Sequence, residues 1–321
     1  MLAATCVSQS PDDPLSGLEV AQRPDPGVPE GWVRVHVRAA SLNHHDLWSL
    51  KGVGLPADKL PMILGCDAAG VTDDGREVVV HALVGDPDWD GDETLDPKRS
   101  ILSEVHQGSL AEQVVVPRRN LVAKPAALTF EQAACLPTAW LTAYRMLFTQ
   151  SGVKPGDKVL VQGAGGGVAT AVITLARAAG LVVWATSRDA AKRERALEIG
   201  AHEVFETGAR LPARVDAVIE TVGKATWAHS MRALRPGGTL VVSGATTGAD
   251  PSADLNRLFF LQLRVVGSTM GTRSELQQLL SFCEATGVRP LVDEVLPLSD
   301  ARRGFERLGA GDLFGKLVLT P

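Results

Sequence analysis

Cysteine is scarce in this chain: Cys6, Cys66, Cys135 and Cys283 are the only four in 321 residues, and no two of them make a CxxC pair. That excludes a disulfide framework and a zinc site encoded by paired cysteines, and leaves four reduced thiols. Tyrosine is scarcer still, with Tyr144 alone, set inside an apolar helical pattern where it packs rather than serves as an acid. There is no run of five like charges, and the formal net charge is only -5, which gives no electrostatic footprint for nucleic acid or an anionic membrane. Long apolar runs are missing too. No segment approaches the roughly 18 uninterrupted apolar residues of a membrane span, and Met1 to Asp12 lacks the basic start and apolar stretch of a secretory signal. The expectation is a cytoplasmic protein acting on a small molecule, with no nucleic-acid or membrane partner.

What is present is ordinary globular material, 45% hydrophobic with a mean hydropathy of +0.07, and long enough for two domains. Up to Lys124 the chain reads as short alternating strands, such as Trp32 to Val37 and Glu77 to His81, between Pro/Gly turns. After Pro125 helical stretches alternate with short apolar runs, the texture of a parallel sheet with crossover helices. Six buried strands are expected: Lys158 to Gln162, Val182 to Ala185, Glu203 to Phe205, Asp216 to Glu220, Thr239 to Ser243 and Arg264 to Gly267. Helices Ala169 to Ala179 and Ala190 to Ile199 each stop at a glycine, Gly180 and Gly200, suited to the left-handed position that ends a helix. A helix from Glu275 to Thr286 and a strand from Lys316 to Thr320 follow. The fold class expected is α/β, with a doubly wound parallel sheet.

The first of the six strands runs into Gly163-Ala-Gly165-Gly166-Gly167 and then into a helix from Val168. Glycines there permit a tight turn and let backbone approach a pyrophosphate, held by the free N–H groups at the helix start. The bare alternative is a tight turn and nothing more, but the position after the first of six strands favours a dinucleotide. The next strand ends Thr186-Ser187-Arg188, with Lys192 and Arg193 one turn on. An acidic residue there would select NAD by binding the ribose 2'-hydroxyl. A hydroxyl and a guanidinium suit the 2'-phosphate of NADP(H) instead. Asp189 is either an N-cap or a ribose acceptor.

The segments Ser41-Leu-Asn43-His44-His45-Asp46, Pro61 to Gly70 and Lys154-Pro-Gly-Asp-Lys158, taken with the Gly-rich turn, resemble the medium-chain dehydrogenase/reductase superfamily over nearly the whole chain. The likeness is greatest to its zinc-free, quinone-oxidoreductase-like branch. It implies a GroES-like catalytic domain from residues 1–125 and 269–321, and a Rossmann NADP-binding domain from 126–268. By the same resemblance Asn43 hydrogen-bonds the nicotinamide ribose or carboxamide, Asp46 braces that turn or caps its helix, and Thr138 touches the cofactor. Gly244, Ala245 and Ser268 line the nicotinamide, and Lys316 either reaches a cofactor phosphate or merely begins a strand. Zinc-using relatives carry a Cys, a His-Glu pair and a second Cys where this chain has Asn43, Cys66-Asp67 and Thr138, and four cysteines in a lobe where this chain has none between Val80 and Gln113. No metal is expected: an off-pattern site from His44 or His45 with Cys66 and Asp67 is the alternative to the plainer reading of a polar turn beside a buried thiol.

Without a metal to polarise a plain ketone or alcohol, the substrate has to carry its own electron sink, as a quinone, enone or enal does. NADPH supplies the hydride, and the protein chiefly orients the reaction. The proton then comes from His44 or His45, or from water. A zinc-dependent alcohol dehydrogenase and a non-catalytic NADPH-binding protein are the two rivals. A homodimer is expected through the edge strand Arg264 to Gly267.

Overall fold

Trp32–Ser41, ten residues long, is the spine of the β-rich part of the molecule. Alternation drives it: Val33, Val35 and Val37 are buried while the residues between them are less so. It pairs antiparallel with Ala69–Thr72 on one side and Gln113–Pro117 on the other. At its far end Val318 and Leu319 pair with Ser41 and Ala40, so the last strand, Lys316–Thr320, lies beside the residues that enter the His44–Leu50 helix. Leu42, Leu50, Leu64, Phe305 and Leu317 belong to the core beneath.

The computed structural model describes residues 1–321 and divides into two compact units, Met1–Leu141 with Met270–Pro321, and Thr142–Thr269. The chain therefore leaves the first unit after Leu141, later than residue 126, where the sequence texture changes. The reason is packing. Thr129 and Gln132 cap the Phe130–Ala134 helix reciprocally, and that helix lies on the Trp32–Ser41 and Ala69–Thr72 strands. The change from strand to helix at Pro125 marks a change of local structure but not of core.

In the second unit six parallel strands stand in the spatial order third, second, first, fourth, fifth, sixth: Glu203–Phe205, Val182–Thr186, Lys158–Val161, Val215–Glu220, Leu234–Val242 and Arg264–Gly267. This is the doubly wound Rossmann arrangement, with the order reversing between the first and fourth strands, where such sheets put ligands. Leu160, Trp184, Val218, Met231 and Leu240 form its core. The crossover helices run Gly167–Ala178 and Ala190–Glu198. Thr272 and Glu275 cap the Arg273–Thr286 helix reciprocally, which starts it two residues before the expected Glu275. No helix is long and apolar enough to cross a membrane.

Candidate functional site

In the first unit, the turn from the Trp32–Ser41 strand into the His44–Leu50 helix is fixed by Asp46, which is wholly buried. Its Oδ2 accepts from the Asn43 amide N at 2.8 Å, and its Oδ1 accepts from the Gly65 N at 3.1 Å. One carboxylate thus caps the helix and ties it to the loop carrying Cys66 and Asp67, so bracing and capping are the same act.

Around that turn the side chains at the four positions that hold zinc in relatives are closed on one another. Asn43 Nδ2 donates to Asp67 Oδ2 at 2.8 Å and stands 3.6 Å from Cys66 Sγ. Ser41 Oγ donates to the same Asp67 oxygen at 2.6 Å. Cys66 Sγ is 3.3 Å from Thr138 Oγ1. Above them sits the ammonium of Lys316, 3% exposed, donating to Leu42 O and Asn43 Oδ1, each at 2.6 Å, and 3.5 Å from Asp67 Oδ2. Gly315 makes this entry feasible. Its φ is +112°, and a Cβ there would lie 2.5 Å from Leu291 O. Of the two readings of Lys316, the strand start is the one seen, and the phosphate contact is corrected: its donors are spent inside the first unit on the Leu42 carbonyl, the Asn43 amide and the Asp67 carboxylate. Burial raises the Cys66 thiol above its ordinary value, so it is protonated there.

His45 is held between two carboxylates. Its Nε2 is 3.1 Å from Glu104 Oε1, its Nδ1 is 3.9 Å from Asp46 Oδ1, and that Nδ1 is buried with no hydrogen-bond partner. Burial alone would lower its pKa, but contact with Asp46, Cys66 and Glu104 outweighs this and pushes it up to about 12. Glu104 is lowered despite its own burial, because it accepts from His45 and from Ile101 N. His44, by contrast, is exposed and makes no hydrogen bond. Adjacent histidines in the sequence thus separate into one half-buried against two carboxylates and one on the surface. His45, Asp46 and Cys66 also offer ligand atoms within 4.8 Å of one another.

In the second unit the Gly-rich turn follows the first strand as the sequence implies. Gly163 and Gly165 have φ of +76° and +123°, Gly166 caps the Gly167–Ala178 helix, and Val168 lies in its first turn. A Cβ on Gly163 would lie 2.7 Å from Val222 Cγ2, whereas one on Gly166 would meet nothing within 4 Å. The first glycine thus satisfies the protein's own packing, and open space remains at the helix start. At the end of the second strand Ser187 is buried and Arg188 exposed. Asp189 caps the next helix, its Oδ1 accepting from Lys192 N at 3.1 Å, and Arg193 donates to Ser187 O at 2.7 Å. Gly244 and Ala245 lie against Thr221 and Gly223, and Ser268 N donates to Val242 O. All stand at the carboxyl ends of the strands.

Sequence reasoning missed three participants. Glu104 is 59 residues from His45 and carries no motif. Ser41 lies in the Ser41–Asp46 segment, but nothing in the sequence gives it a role. Gln162, the residue before Gly163, is wholly buried and turns out to anchor a polar network under the turn.

A Gly-rich turn that opens a helix at the switch point of a doubly wound sheet is the arrangement that binds dinucleotides. Residues 29–126 match the alcohol dehydrogenase GroES-like domain and residues 167–285 the zinc-binding dehydrogenase domain. A zinc-type alcohol dehydrogenase-like protein of Schizosaccharomyces pombe is 30% identical over 96% of this chain and 97% of its own. Acryloyl-coenzyme A reductase of Sulfurisphaera tokodaii is 28% identical over 96% and 98%. The solved structure of an NAD-dependent alcohol dehydrogenase superposes with a TM-score of 0.93 at 35% identity, covering 100% of both chains. The chain belongs to the medium-chain dehydrogenase/reductase superfamily, with its GroES-like and Rossmann domains, and is an oxidoreductase of that type using a nicotinamide dinucleotide.

Proposed function

We propose that the protein transfers a hydride from NADPH to a quinone or to an activated alkene or carbonyl, an enone or enal, without catalytic zinc. The observation that carries this reading is the closed cluster at Asn43, Cys66, Asp67 and Thr138. A tetrahedral zinc needs three anionic or imidazole ligands and an open position. Here the four positions supply one thiol, one carboxylate and two neutral groups already bonded to them, with a lysine ammonium 3.5 Å from the carboxylate. A dication does not fit beside that ammonium. The charge a metal would bring to Asp67 is brought by Lys316.

Thr138, half-buried and its hydroxyl held only by Cys66, is then free of ligand duty and serves the cofactor, as the resemblance implies, whereas the Asn43 amide is taken up by Asp67 and Lys316. Arg188, exposed with Ser187 beside it, supports a 2'-phosphate and hence NADP(H). His45 delivers the proton that follows the hydride, with Glu104 behind it as its route to solvent. The exposed Leu255, Phe259, Phe260 and Val265, together with the sheet edge Arg264–Gly267, support a homodimer.

One observation favours a rival. His45, Asp46 and Cys66 are close enough to share an ion, and His45 Nδ1 lacks a partner. Against it, both Asp46 oxygens already accept from backbone N–H groups. Titration with NADPH and NADH, followed by the fluorescence of the reduced nicotinamide, tests the cofactor. Tighter NADPH binding supports the reading, and a preference for NADH overturns the role of Ser187 and Arg188.

A further inference from the structure

Beneath the Gly-rich turn lies a chain of polar side chains in which every hydrogen can be assigned. His229 Nε2 faces Ala209 O at 2.9 Å, so it carries the hydrogen and Nδ1 is an acceptor. That acceptor faces Gln162 Nε2 at 2.9 Å, which orients the Gln162 amide. The second hydrogen of Nε2 goes to Ser230 Oγ at 2.9 Å, and Ser230 passes its own to Glu220 Oε2 at 2.6 Å. On the other side Gln162 Oε1 accepts from Thr186 Oγ1 at 2.6 Å. The hydroxyl of Thr186 thereby keeps a lone pair for the Gly163 N at 3.4 Å, and its carbonyl accepts from Ala164 N at 2.7 Å. Glu220, wholly buried, also accepts from Val222 N at 2.8 Å, Gly223 N at 3.1 Å and the Thr226 hydroxyl.

The two branches meet again at Gly163. Thr186 holds the turn by hydrogen bonds, and Val222, fixed by Glu220, fills the space where Gly163 has no Cβ. We propose that Gln162 is the positioning residue of the dinucleotide site, its single amide locking the Gly163 turn from the Thr186 side and from the Ser230–Glu220–Val222 side at once. Gln162 need not touch the cofactor. It sets the backbone N–H groups that would, and an anion-binding turn is effective only when those groups are held in place beforehand. An amide is required chemically. Only a group that accepts at one atom and donates twice at the other satisfies Thr186, His229 and Ser230 together.

This inference rests on the dinucleotide reading above, and its test separates the two. NADPH affinity is measured by nicotinamide fluorescence for wild type, Thr186→Val, Thr186→Ser, Ser230→Ala and Gln162→Leu, with the melting temperature of each. Thr186→Val and Ser230→Ala each cut one branch at nearly constant volume, so they stand in if Gln162→Leu fails to fold. The expected result is a loss of affinity of about tenfold in each of these two, the scale of a buried hydrogen bond, rescue by Thr186→Ser, and no further loss when Thr186→Val is added to Gln162→Leu. Equal affinity in Thr186→Val, Thr186→Ser and wild type overturns the positioning role. Wild type binding neither NADPH nor NADH overturns the cofactor reading itself, and this inference with it.

Discussion

Asn43 and Asp67 are joined by a 2.8 Å hydrogen bond from Nδ2 to Oδ2, with the ammonium of Lys316 touching both. The amide carbon chain of Asn43 stands where zinc-using relatives carry a cysteine, and the cluster is neutralised from within by a lysine that arrives from the far end of the chain. Replacing Lys316 by Met leaves the Asp67 carboxylate buried and without its cation. The expected loss of stability is about 3–5 kcal/mol, the usual result of removing one partner of a buried pair. Urea unfolding measures it, and a loss within the range of an exposed ion pair contradicts the neutralising role.

In the proposed mechanism His45 gives the proton, with Glu104 behind it. Because His45 is pushed up to about 12, it is protonated throughout the neutral range, and a general acid works only while protonated. Reduction by the wild type is therefore expected to be flat with pH from neutral to mildly alkaline conditions. Glu104→Gln lowers the histidine, bringing an alkaline fall in rate into that window. His45→Gln reduces kcat by on the order of 10²-fold or more, with NADPH affinity retained. A wild-type rate in His45→Gln assigns the proton to water.

In the proposed reading Arg188 selects NADPH over NADH. Arg188→Ala is expected to weaken NADPH by about tenfold or more, the worth of a charge-assisted phosphate contact, and to leave NADH nearly unchanged. Parallel fluorescence titrations check this, and an equal loss for both dinucleotides refutes selection by the 2'-phosphate.

His81 gives the first unit an acid limit. It is buried, and its Nε2 lies 2.9 Å from Gly271 O. Burial lowers its pKa to about 4. The folded protein thus binds its proton less readily than the unfolded chain. Stability from this group is complete above the ordinary histidine value, near 6.5, and is lost progressively as pH falls towards about 4, by roughly 3 kcal/mol in all. His81→Asn should flatten that part of the stability profile in chemical unfolding across pH 7 to 4, and an unchanged slope removes His81 as its cause.

The parallel sheet is legible because most of its strands are short apolar runs spaced by helical stretches, and because a strand, a glycine turn and a helix occur in that order at Lys158 to Arg177. Local signals of this kind act over a few residues. The domain crossing was placed too early because the Phe130–Ala134 helix packs on strands nearly 60 residues or more before it, which no local texture records. Of the site, Asn43, Asp46, Cys66 and Asp67 lie in two short motifs, and their mutual contacts follow from the turn that Asp46 closes. Lys316 was visible as Gly-Lys, but its burial depends on Val318 and Leu319 pairing with Ser41 and Ala40 across 270-odd residues. Glu104 and Gln162 had no signature, since one meets its histidine only through tertiary packing and the other resembles any strand-end glutamine.

The most direct test of metal-free hydride transfer is enone or quinone reduction by NADPH after exhaustive chelation, with zinc assayed on the same sample. Full activity at far less than one zinc per chain is the result this account predicts. One zinc per chain, with activity lost on chelation and restored by added zinc, contradicts it.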